Sequence, residues 1–356
     1  MSASAQVPVA EARGVSKRFQ RKTDMIERFV GRLTGAAEPP TVHALDNVSL
    51  TVMKGEVVGL VGESGCGKST LGRAIAGMLP VSDGVIAHEG RDIASLRGRA
   101  RMAMRLGTQI IFQDPMSSLN PRKTVREIIG EAPRVHGLVA ARDIDRLVSD
   151  LLARVGLDPA MANRYPHQFS GGQRQRIGIA RALAVKPEFL ICDESIAALD
   201  VSIQAQVINL FMDLKRDLGL TLLFISHDLS VVQHISDRVV VMYLGRVVES
   251  APTDEIFGPE GPRHPYTAAL LAEVPRIERR EHSFSTVKGE IPSPLHPPSG
   301  CHFHPRCPFA MDICKTTRPE LRDFAGGHAA ACHLHDGQGL RDQNSTNQNS
   351  SLQGAK

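Results

Sequence analysis

Short runs of alternating polar and apolar residues stand near the beginning of the chain. Residues 11–19 and 41–53 both show this alternation, which predicts antiparallel strands that bury one face. The segment between them, within 20–40, has apolar residues at helical spacing among basic ones: Met25, Ile26, Phe29, Val30 and Leu33. We favour a surface insertion that packs on its own domain, and an amphipathic helix that contacts a membrane or a partner is the alternative.

Longer apolar runs predict buried strands of a parallel sheet. Three of them cover residues 55–61, 188–193 and 221–228. The helical pattern of 201–219 lies between the second and the third, and this order of strand, helix and strand predicts parallel neighbours. A further apolar run, 238–250, closes the core. We therefore expect an α/β fold.

Changes of pattern along the chain divide it into domains. Residues 114–186 are mainly helical and predict an inserted helical subdomain within a core that extends over 1–250. From 251 to 335 the chain is rich in proline and poorly periodic, which predicts a small Cys-rich C-terminal domain with little core of its own. Residues 336–356 are polar and low in complexity, and we expect them to be disordered.

Composition narrows the class of protein. The formal net charge is +4, and the Lys and Arg residues are spread along the chain, so charge gives no reason to expect nucleic acid as a partner. No run approaches the roughly 20 consecutive apolar residues that span a bilayer, and residues 1–14 lack the layout of a secretory signal. We expect a cytoplasmic protein with no membrane channel of its own.

A glycine-rich turn follows the apolar run 55–61 and leads into a helical pattern. It matches G-x-x-x-x-G-K-[ST] with the residues Gly62, Glu63, Ser64, Gly65, Cys66, Gly67, Lys68, Ser69 and Thr70. Glycines let backbone N–H groups turn toward phosphate oxygens at a helix N-terminus. Lys68 would neutralise the β and γ phosphates of a nucleotide and Ser69 would bind Mg²⁺, whereas Cys66 is interpreted as a small residue and not a nucleophile.

Two carboxylates stand at the end of the apolar run 188–193. Carboxylates at the tip of a buried strand beside a phosphate loop have a chemical reason to be there. Asp193 would hold Mg²⁺ through water, and Glu194 would polarise the attacking water. Together with the glycine-rich turn, this pair predicts a nucleoside triphosphatase.

The sequence FSGGQ at 169–173, followed by a helical run, resembles the signature of ABC ATPases. Gln113 stands ahead of it, Asp200 after the acidic pair and His227 after the next strand, which is the order of that family. The resemblance covers roughly residues 10–250. It implies a P-loop NTPase (RecA-like) core with an antiparallel β subdomain and an inserted helical signature subdomain, and ATP and Mg²⁺ as cofactors.

The resemblance implies a head-to-tail dimer with ATP between the subunits. The signature of one subunit would cap the γ-phosphate held by the other, through Ser170, Gly171, Gly172 and Gln173. Gln113 would sense Mg²⁺ and the attacking water and relay to the membrane subunits. His227 would contact the γ-phosphate and hold the water in line, and Asp200 would bridge the two subunits.

Two parts of the chain differ from the family pattern or fit it loosely. Many relatives read DEPTSALD where residues 193–200 read DESIAALD, but the catalytic residues are kept and we expect an active site. Phe19 stands where the family has an aromatic ring for adenine. The insertion after it leaves a core position as an equal alternative.

Three further segments resemble the ATPases of oligopeptide and dipeptide importers. They are residues 112–125, 198–210 and 264–333, the last with a Pro, Cys and His pattern that has no generic structural cause. The resemblance implies two membrane-spanning permease subunits, an extracytoplasmic substrate-binding protein, and a peripheral location on the cytoplasmic face of the bacterial inner membrane. The sequence of residues 198–210 resembles that of the second ATPase of a pair, which favours a heterodimer with a sister ATPase over a homodimer.

The cargo stays open at this point. Peptide is favoured, but importers of nickel, glutathione or sugars share the branch, because substrate choice lies with other subunits. A soluble ABC ATPase of DNA repair or translation is a remote alternative. Such proteins carry two cassettes or a long coiled-coil insertion, and this sequence shows neither.

Four cysteines are crowded into the last quarter of the chain: Cys301, Cys307, Cys314 and Cys332. Because disulfides are disfavoured in a reducing cytosol, clustered thiols point first to a metal or iron–sulfur site. The resemblance implies a [4Fe-4S] cluster on the four thiolates, while zinc and unmetallated thiols stay open. We also expect ATP binding to be independent of these cysteines, because the core from about 43 to 250 would fold around its own sheet.

Overall fold

The apolar runs become the centre of one large sheet. The computed structural model describes residues 7–20, 40–197, 199–273 and 289–336. Its strands are, in chain order, β1 (Ala10–Gln20), β2 (Thr41–Val52), β3 (Val57–Val61), β4 (Asp83–His88), β5 (Arg91–Asp92), β6 (Thr108–Ile111), β7 (Phe189–Asp193), β8 (Thr221–Ile225), β9 (Arg238–Tyr243), β10 (Arg246–Pro252), β11 (Arg322–Asp323) and β12 (Ala329–Ala330).

Most of the α-helices connect consecutive strands along the chain. They are α1 (Lys68–Ile75), α2 (Gly98–Gly107), α3 (Pro115–Ser118), α4 (Val125–Val135), α5 (Ile144–Arg154), α6 (Gly171–Leu183), α7 (Val201–Leu218), α8 (Leu229–Ile235), α9 (Thr253–Phe257), α10 (Pro265–Ala272) and α11 (Asp312–Thr316). Within the described ranges, none of the helices combines the length and the apolar character needed to cross a membrane.

The large sheet has eight strands in the order β11-β12-β10-β9-β3-β8-β7-β6. Strands β9, β3, β8, β7 and β6 run parallel to one another, and β10 returns antiparallel to β9. Val57 and Val61 of β3 enter one hydrophobic core, whereas Val58 and Leu60 enter another. Because successive side chains of a strand point to opposite faces, the sheet is covered on both sides.

A smaller antiparallel sheet covers one of these faces. Its order is β2-β1-β4-β5, and Val15 of β1, Val48 of β2 and Leu71 of α1 share a core with the large sheet. The alternation at 11–19 and 41–53 therefore corresponds to the strands β1 and β2. The proposed amphipathic segment falls within 21–39, outside the described residues.

Helices α3 to α6 lie between β6 and β7, within the predicted helical segment 114–186. Thr124 begins α4 with a capping box, in which its side chain accepts from the Glu127 N–H and the Glu127 carboxylate accepts from the Thr124 N–H. The buried faces of α4 to α6 meet through Ile129, Leu152 and Ile177. This packing ties the helical segment to the parallel sheet.

In the C-terminal segment, the described residues 251–273 and 289–336 do not form a core of their own. The boundary expected at residue 250 falls inside β10, and β12 pairs with β10 to extend the large sheet. Tyr266 and Phe303 belong to the same hydrophobic core as the parallel strands. This packing could not be predicted from the proline-rich sequence, because only a few apolar side chains of the segment take part in it. Residues 337–356 lie outside the described ranges.

Candidate functional site

Parallel strands bring the predicted site residues to one edge of the large sheet. Strands β6, β7, β8 and β3 are neighbours in that order. Gln113 follows β6, Glu194 follows β7, His227 follows β8, and the phosphate loop, residues 62–70, follows β3. Because the carboxyl ends of parallel strands meet at the same edge, these groups converge although they are far apart in sequence.

Glycines shape the phosphate loop where it joins β3 to α1. The φ angle is +149° at Gly62 and +108° at Gly67. A Cβ atom at Gly62 would lie 2.1 Å from the carbonyl oxygen of Met242, and one at Gly67 would lie 2.4 Å from that of Ala44. Only glycine permits such a close approach of backbone. The helix then begins at Lys68, so its N-terminal N–H groups face the loop.

The Lys68 side chain is buried within the loop, with 4% of the residue exposed. Its ammonium donates to the carbonyl oxygens of Gly62 at 2.7 Å and Glu63 at 3.0 Å. Both partners are neutral, so they leave the positive charge able to attract an anion. Burial raises the pKa of the neighbouring Cys66 thiol, which keeps it protonated and unreactive.

A hydroxyl and a carboxylate meet beside the loop. Ser69 Oγ donates to Asp193 Oδ1 at 2.6 Å, and a nitrogen of the Arg73 guanidinium lies 3.8 Å from Asp193 Oδ2. Asp193 is 3% exposed, and burial raises the pKa of its carboxyl although the Ser69 hydrogen bond lowers it. Hydroxyl and carboxylate oxygens are the ligands that Mg²⁺ prefers, so this pair fits a magnesium ion.

A second carboxylate lies at the turn that follows. Glu194 has a φ of +46°, an uncommon conformation for a residue with a side chain. Gln113 Nε2 donates to Glu194 Oε2 at 2.8 Å, and His227 Nδ1 lies 3.7 Å from Glu194 Oε1. The structure thus brings an amide, an imidazole and a carboxylate together, a set able to orient and polarise a water molecule.

The signature residues form the N-terminus of α6. Ser170 and Gln173 hydrogen-bond each other in a capping box, in which Ser170 Oγ accepts from the Gln173 N–H and Gln173 Oε1 accepts from the Ser170 N–H. Ser170 and Gly171 are exposed, whereas a Cβ atom at Gly172 would lie 2.6 Å from Ile203 Cγ2. The helix N-terminus therefore presents N–H groups to the surface, where a second molecule can reach them.

The remaining predicted residues lie around this edge. Asp200 is the N-cap residue of α7, and Ser64 and Gly65 are exposed while Thr70 is half-buried. Phe19 is 41% exposed, and the Lys17 ammonium lies 5.0 Å from its ring centroid. The alternative of a core position for Phe19 is therefore wrong, because Phe19 is among the exposed last residues of strand β1.

Two family models match the chain. The one described as ABC transporter covers residues 45–197, and the one described as oligopeptide/dipeptide transporter, C-terminal region, covers 248–314. The oligopeptide transport ATP-binding protein AppF of Bacillus subtilis (strain 168) is 50% identical over 339 residues, which are 94% of this chain and 100% of that protein. This chain belongs to the ABC transporter ATP-binding proteins.

Other ABC transporter proteins agree with this assignment. The oligopeptide transport ATP-binding protein OppF of Salmonella typhimurium (strain LT2) is 50% identical over 298 residues, 83% of this chain and 88% of that one. The solved structure of cbiO1 from Clostridium perfringens, part of the ABC transporter complex cbiONQ, has a TM-score of 0.58 at 27% identity and covers 71% of this chain and 92% of its own. The dimeric ATP-binding cassette MJ0796, in a post-hydrolysis state bound to ADP and Pi, has the same TM-score at 25% identity, over 68% and 98% of the two chains. The predicted P-loop ATPase fold is confirmed.

The four clustered cysteines of this ABC protein line one cavity of about 10 Å³: Cys301, Cys307, Cys314 and Cys332. Burial raises the pKa of Cys301 and Cys307, and that of Cys332 to about 11. Over the described residues, no group of three or more His, Cys, Asp or Glu side chains is arranged to hold a metal ion. The predicted [4Fe-4S] cluster therefore has no metal-binding group among the described residues.

Sequence reasoning missed a contact that joins the cysteine region to the phosphate loop. Both carboxylate oxygens of Glu63 accept hydrogen bonds from Arg306, at 2.7 and 2.8 Å, and the Glu63 N–H donates to Tyr266 Oη at 2.8 Å. No local pattern marks Arg306 or Tyr266 as partners of the loop. The C-terminal segment is thus in direct contact with the phosphate loop, and the independence of ATP binding from the four cysteines stays a prediction.

Proposed function

We propose that this chain is the ATP-hydrolysing subunit of an ABC importer for peptides. The observation that carries the proposal is the meeting of a phosphate loop, a buried Ser69–Asp193 pair and the Gln113–Glu194–His227 group at one edge of the sheet. The C-terminal match and the oligopeptide transport relatives support peptide as the cargo.

In this function the phosphate loop binds the triphosphate of ATP. Loop N–H groups and the Lys68 ammonium, released from the Gly62 and Glu63 carbonyls, hold the β and γ phosphates. Ser69 and Asp193 would hold Mg²⁺, which when bound neutralises phosphate charge. The exposed ring of Phe19 would stack on adenine.

Hydrolysis depends on the group at the end of β7. Glu194 polarises the attacking water and accepts its proton. Gln113, which bonds the Glu194 carboxylate at 2.8 Å, holds that side chain and senses the nucleotide. His227 Nδ1 lies 3.7 Å from the other carboxylate oxygen of Glu194, and this imidazole keeps the water in line with the γ-phosphate.

The signature residues act on ATP that is bound by another ATPase subunit. The exposed helix N-terminus with Ser170, Gly171, Gly172 and Gln173 offers N–H groups to a γ-phosphate from outside the chain. Asp200 bridges the two subunits. We infer a heterodimer with a sister ATPase, and two membrane-spanning permeases, an extracytoplasmic substrate-binding protein and a position on the cytoplasmic face of the bacterial inner membrane complete the assembly.

Two variants test the proposal. Glu194→Gln should bind MgATP normally and lose hydrolysis by about 100-fold or more, because the water is no longer polarised. Lys68→Ala should weaken MgATP binding itself. Nucleotide titration and phosphate release by the assembled complex measure the two effects. Near-normal turnover by Glu194→Gln, or identical binding by both variants, would contradict these roles.

An iron–sulfur cluster on the four cysteines is a separate proposal, supported by their gathering around one cavity. To hold a cluster, the four thiol side chains would have to move apart and enlarge that cavity. Anaerobic purification followed by metal analysis tests it, and Cys307→Ser should remove the iron and the brown visible absorbance. Stoichiometric zinc, or no metal, would exclude the cluster and leave the ATPase function untouched.

A further inference from the structure

Every polar group of Glu63 in the phosphate loop has a partner. Its carbonyl oxygen accepts from Lys68 Nζ at 3.0 Å. Its N–H donates to Tyr266 Oη, and its carboxylate receives both guanidinium bonds of Arg306. Two of these three partners belong to the C-terminal segment, so that segment holds the loop by backbone and side chain together.

Arg306 is itself fixed in place. Its side chain is 5% exposed, against 21% for Glu63. One guanidinium nitrogen also lies 3.3 Å from Tyr243 Oη. The rings of Tyr243, Tyr266 and Phe303 pack with centroids 4.7 to 5.3 Å apart. Because a buried arginine needs a carboxylate to balance its charge, Arg306 and Glu63 specify each other's position.

The charge of Glu63 matters because the loop binds a polyanion. An unbalanced carboxylate beside a triphosphate repels it through partly buried surroundings, where screening is weak. We propose that Arg306 is a positioning residue for ATP binding, which acts by cancelling the charge of Glu63 beside the site of the triphosphate. This inference rests on the proposed ATPase function. It makes the C-terminal segment part of the nucleotide site.

The test distinguishes an effect of the unbalanced Glu63 charge on ATP binding from an effect of lost structure. Arg306→Gln leaves Glu63 unbalanced and should weaken MgATP binding by about tenfold, with a smaller loss for MgADP, which carries less charge. Adding Glu63→Gln to the same chain removes the repulsion and should restore the affinity to within about twofold of wild type. Titration calorimetry on the full chain measures all the dissociation constants.

Arg318→Gln is the matched control. Arg318 also lies in the C-terminal segment and also faces a carboxylate of an earlier strand, Asp46 of β2 at 3.7 Å, but its partner is outside the phosphate loop. MgATP affinity of this variant should equal that of wild type. A weakening equal to that of Arg306→Gln would mean that any loosening of the segment affects ATP, and would overturn the proposal.

The other outcomes are equally decisive. Unchanged MgATP affinity in Arg306→Gln, or a loss that Glu63→Gln does not restore, overturns the proposal. If Arg306→Gln does not fold, as judged by thermal melting, Glu63→Gln alone decides: equal or tighter MgATP binding supports the charge role and a loss of about tenfold overturns it. A wild-type chain that binds no ATP would instead overturn the proposed function.

Discussion

Asp193 is a buried carboxylate whose ionised form does not stabilise the fold. The residue is 3% exposed, and burial raises the pKa of its carboxyl above the usual range. A raised pKa means that the protonated form stabilises the fold, and this contribution is lost as the pH rises through the raised pKa. At neutral pH the ionised carboxylate is therefore held at a cost in stability, offset in part by Ser69.

Replacing Asp193 by Asn should separate stability from function. Asn keeps an oxygen to accept from Ser69 and removes the buried charge, so the melting temperature of the nucleotide-free chain at pH 7 should rise by roughly 2–4 °C. Mg²⁺-dependent ATP hydrolysis should be lost. Asp213→Asn, at an exposed acid paired with Arg216, is the control and should change neither. A lower melting temperature for Asp193→Asn would contradict this account.

Single residues differ in how far the sequence reveals their role. Lys68 and Ser69 stand inside one local pattern, and Asp193 ends a buried strand, so chemistry and spacing together predict them. The partner of Glu63 is 243 residues away, and nothing near Arg306 distinguishes it from other arginines. Such a pair depends on tertiary packing of the C-terminal segment, which local periodicity does not describe.

At the scale of elements, the phosphate loop depends on two different properties of glycine. Gly67 needs both a positive φ and empty space, since a Cβ atom would lie 2.4 Å from the Ala44 carbonyl oxygen. Gly65 also has a positive φ, of +79°, but a Cβ atom there would meet nothing within 4 Å. Gly67→Ala should abolish ATP binding and lower stability markedly, whereas Gly65→Ala should cost only about 1 kcal/mol. Urea unfolding and nucleotide titration measure both, and similar losses in the two variants would refute the steric argument.

Helix α10 begins at a buried histidine that should make stability depend on pH. His264 Nδ1 accepts from the Tyr266 N–H, and burial lowers the pKa of His264 to about 4. The unfolded chain, with a pKa near 6.5, then binds a proton that the folded chain excludes. The contribution of His264 is therefore complete above about pH 6.5 and is lost as the pH falls toward 4, by about 2 kcal/mol at pH 5.

His264→Asn tests this because Asn retains an acceptor for the helix N-terminus. The drop in unfolding free energy between pH 7 and pH 5 should be smaller than in wild type by about 2 kcal/mol, measured by urea unfolding at each pH. His136→Asn replaces an exposed histidine and should keep the wild-type drop. An unaltered drop in His264→Asn would show that other groups carry the pH dependence.

The elements themselves were predicted to different extents. Alternation and apolar runs predict β1, β2, β3, β7 and β8, because these strands have a buried face or are buried entirely. Strands β11 and β12 have two residues each, too few to show a period. They exist because β10 offers an edge to pair with, which is a property of the folded sheet.

On the scale of the whole molecule, the C-terminal segment completes the core. Glu249 of β10 is fully buried, and its carboxylate accepts from the Arg263 and His264 N–H groups and contacts His328 Nε2 at 2.7 Å. A chain that ends at residue 250 would leave this charge without partners and would expose the ring of Tyr243, which packs against Tyr266 and Phe303 in the full chain. It should aggregate or melt without cooperativity.

A chain that ends at residue 336 is the matching control, since it keeps every described contact of the segment. It should melt at the temperature of the full chain, as followed by circular dichroism and size-exclusion chromatography. If the chain ending at residue 250 is instead monomeric, melts cooperatively and binds MgATP, then the segment is dispensable for folding.

The distance in sequence between Glu63 and Arg306 determines how long the nascent chain has one residue of the pair without the other. At the usual pace of translation, about 5–20 residues per second, the ribosome adds Arg306 roughly 10 to 50 seconds after Glu63. During that interval the loop exists on the nascent chain with its acidic side chain unbalanced. The growing polypeptide should therefore bind nucleotide weakly until nearly all of it has been made, so that an unfinished subunit consumes little ATP.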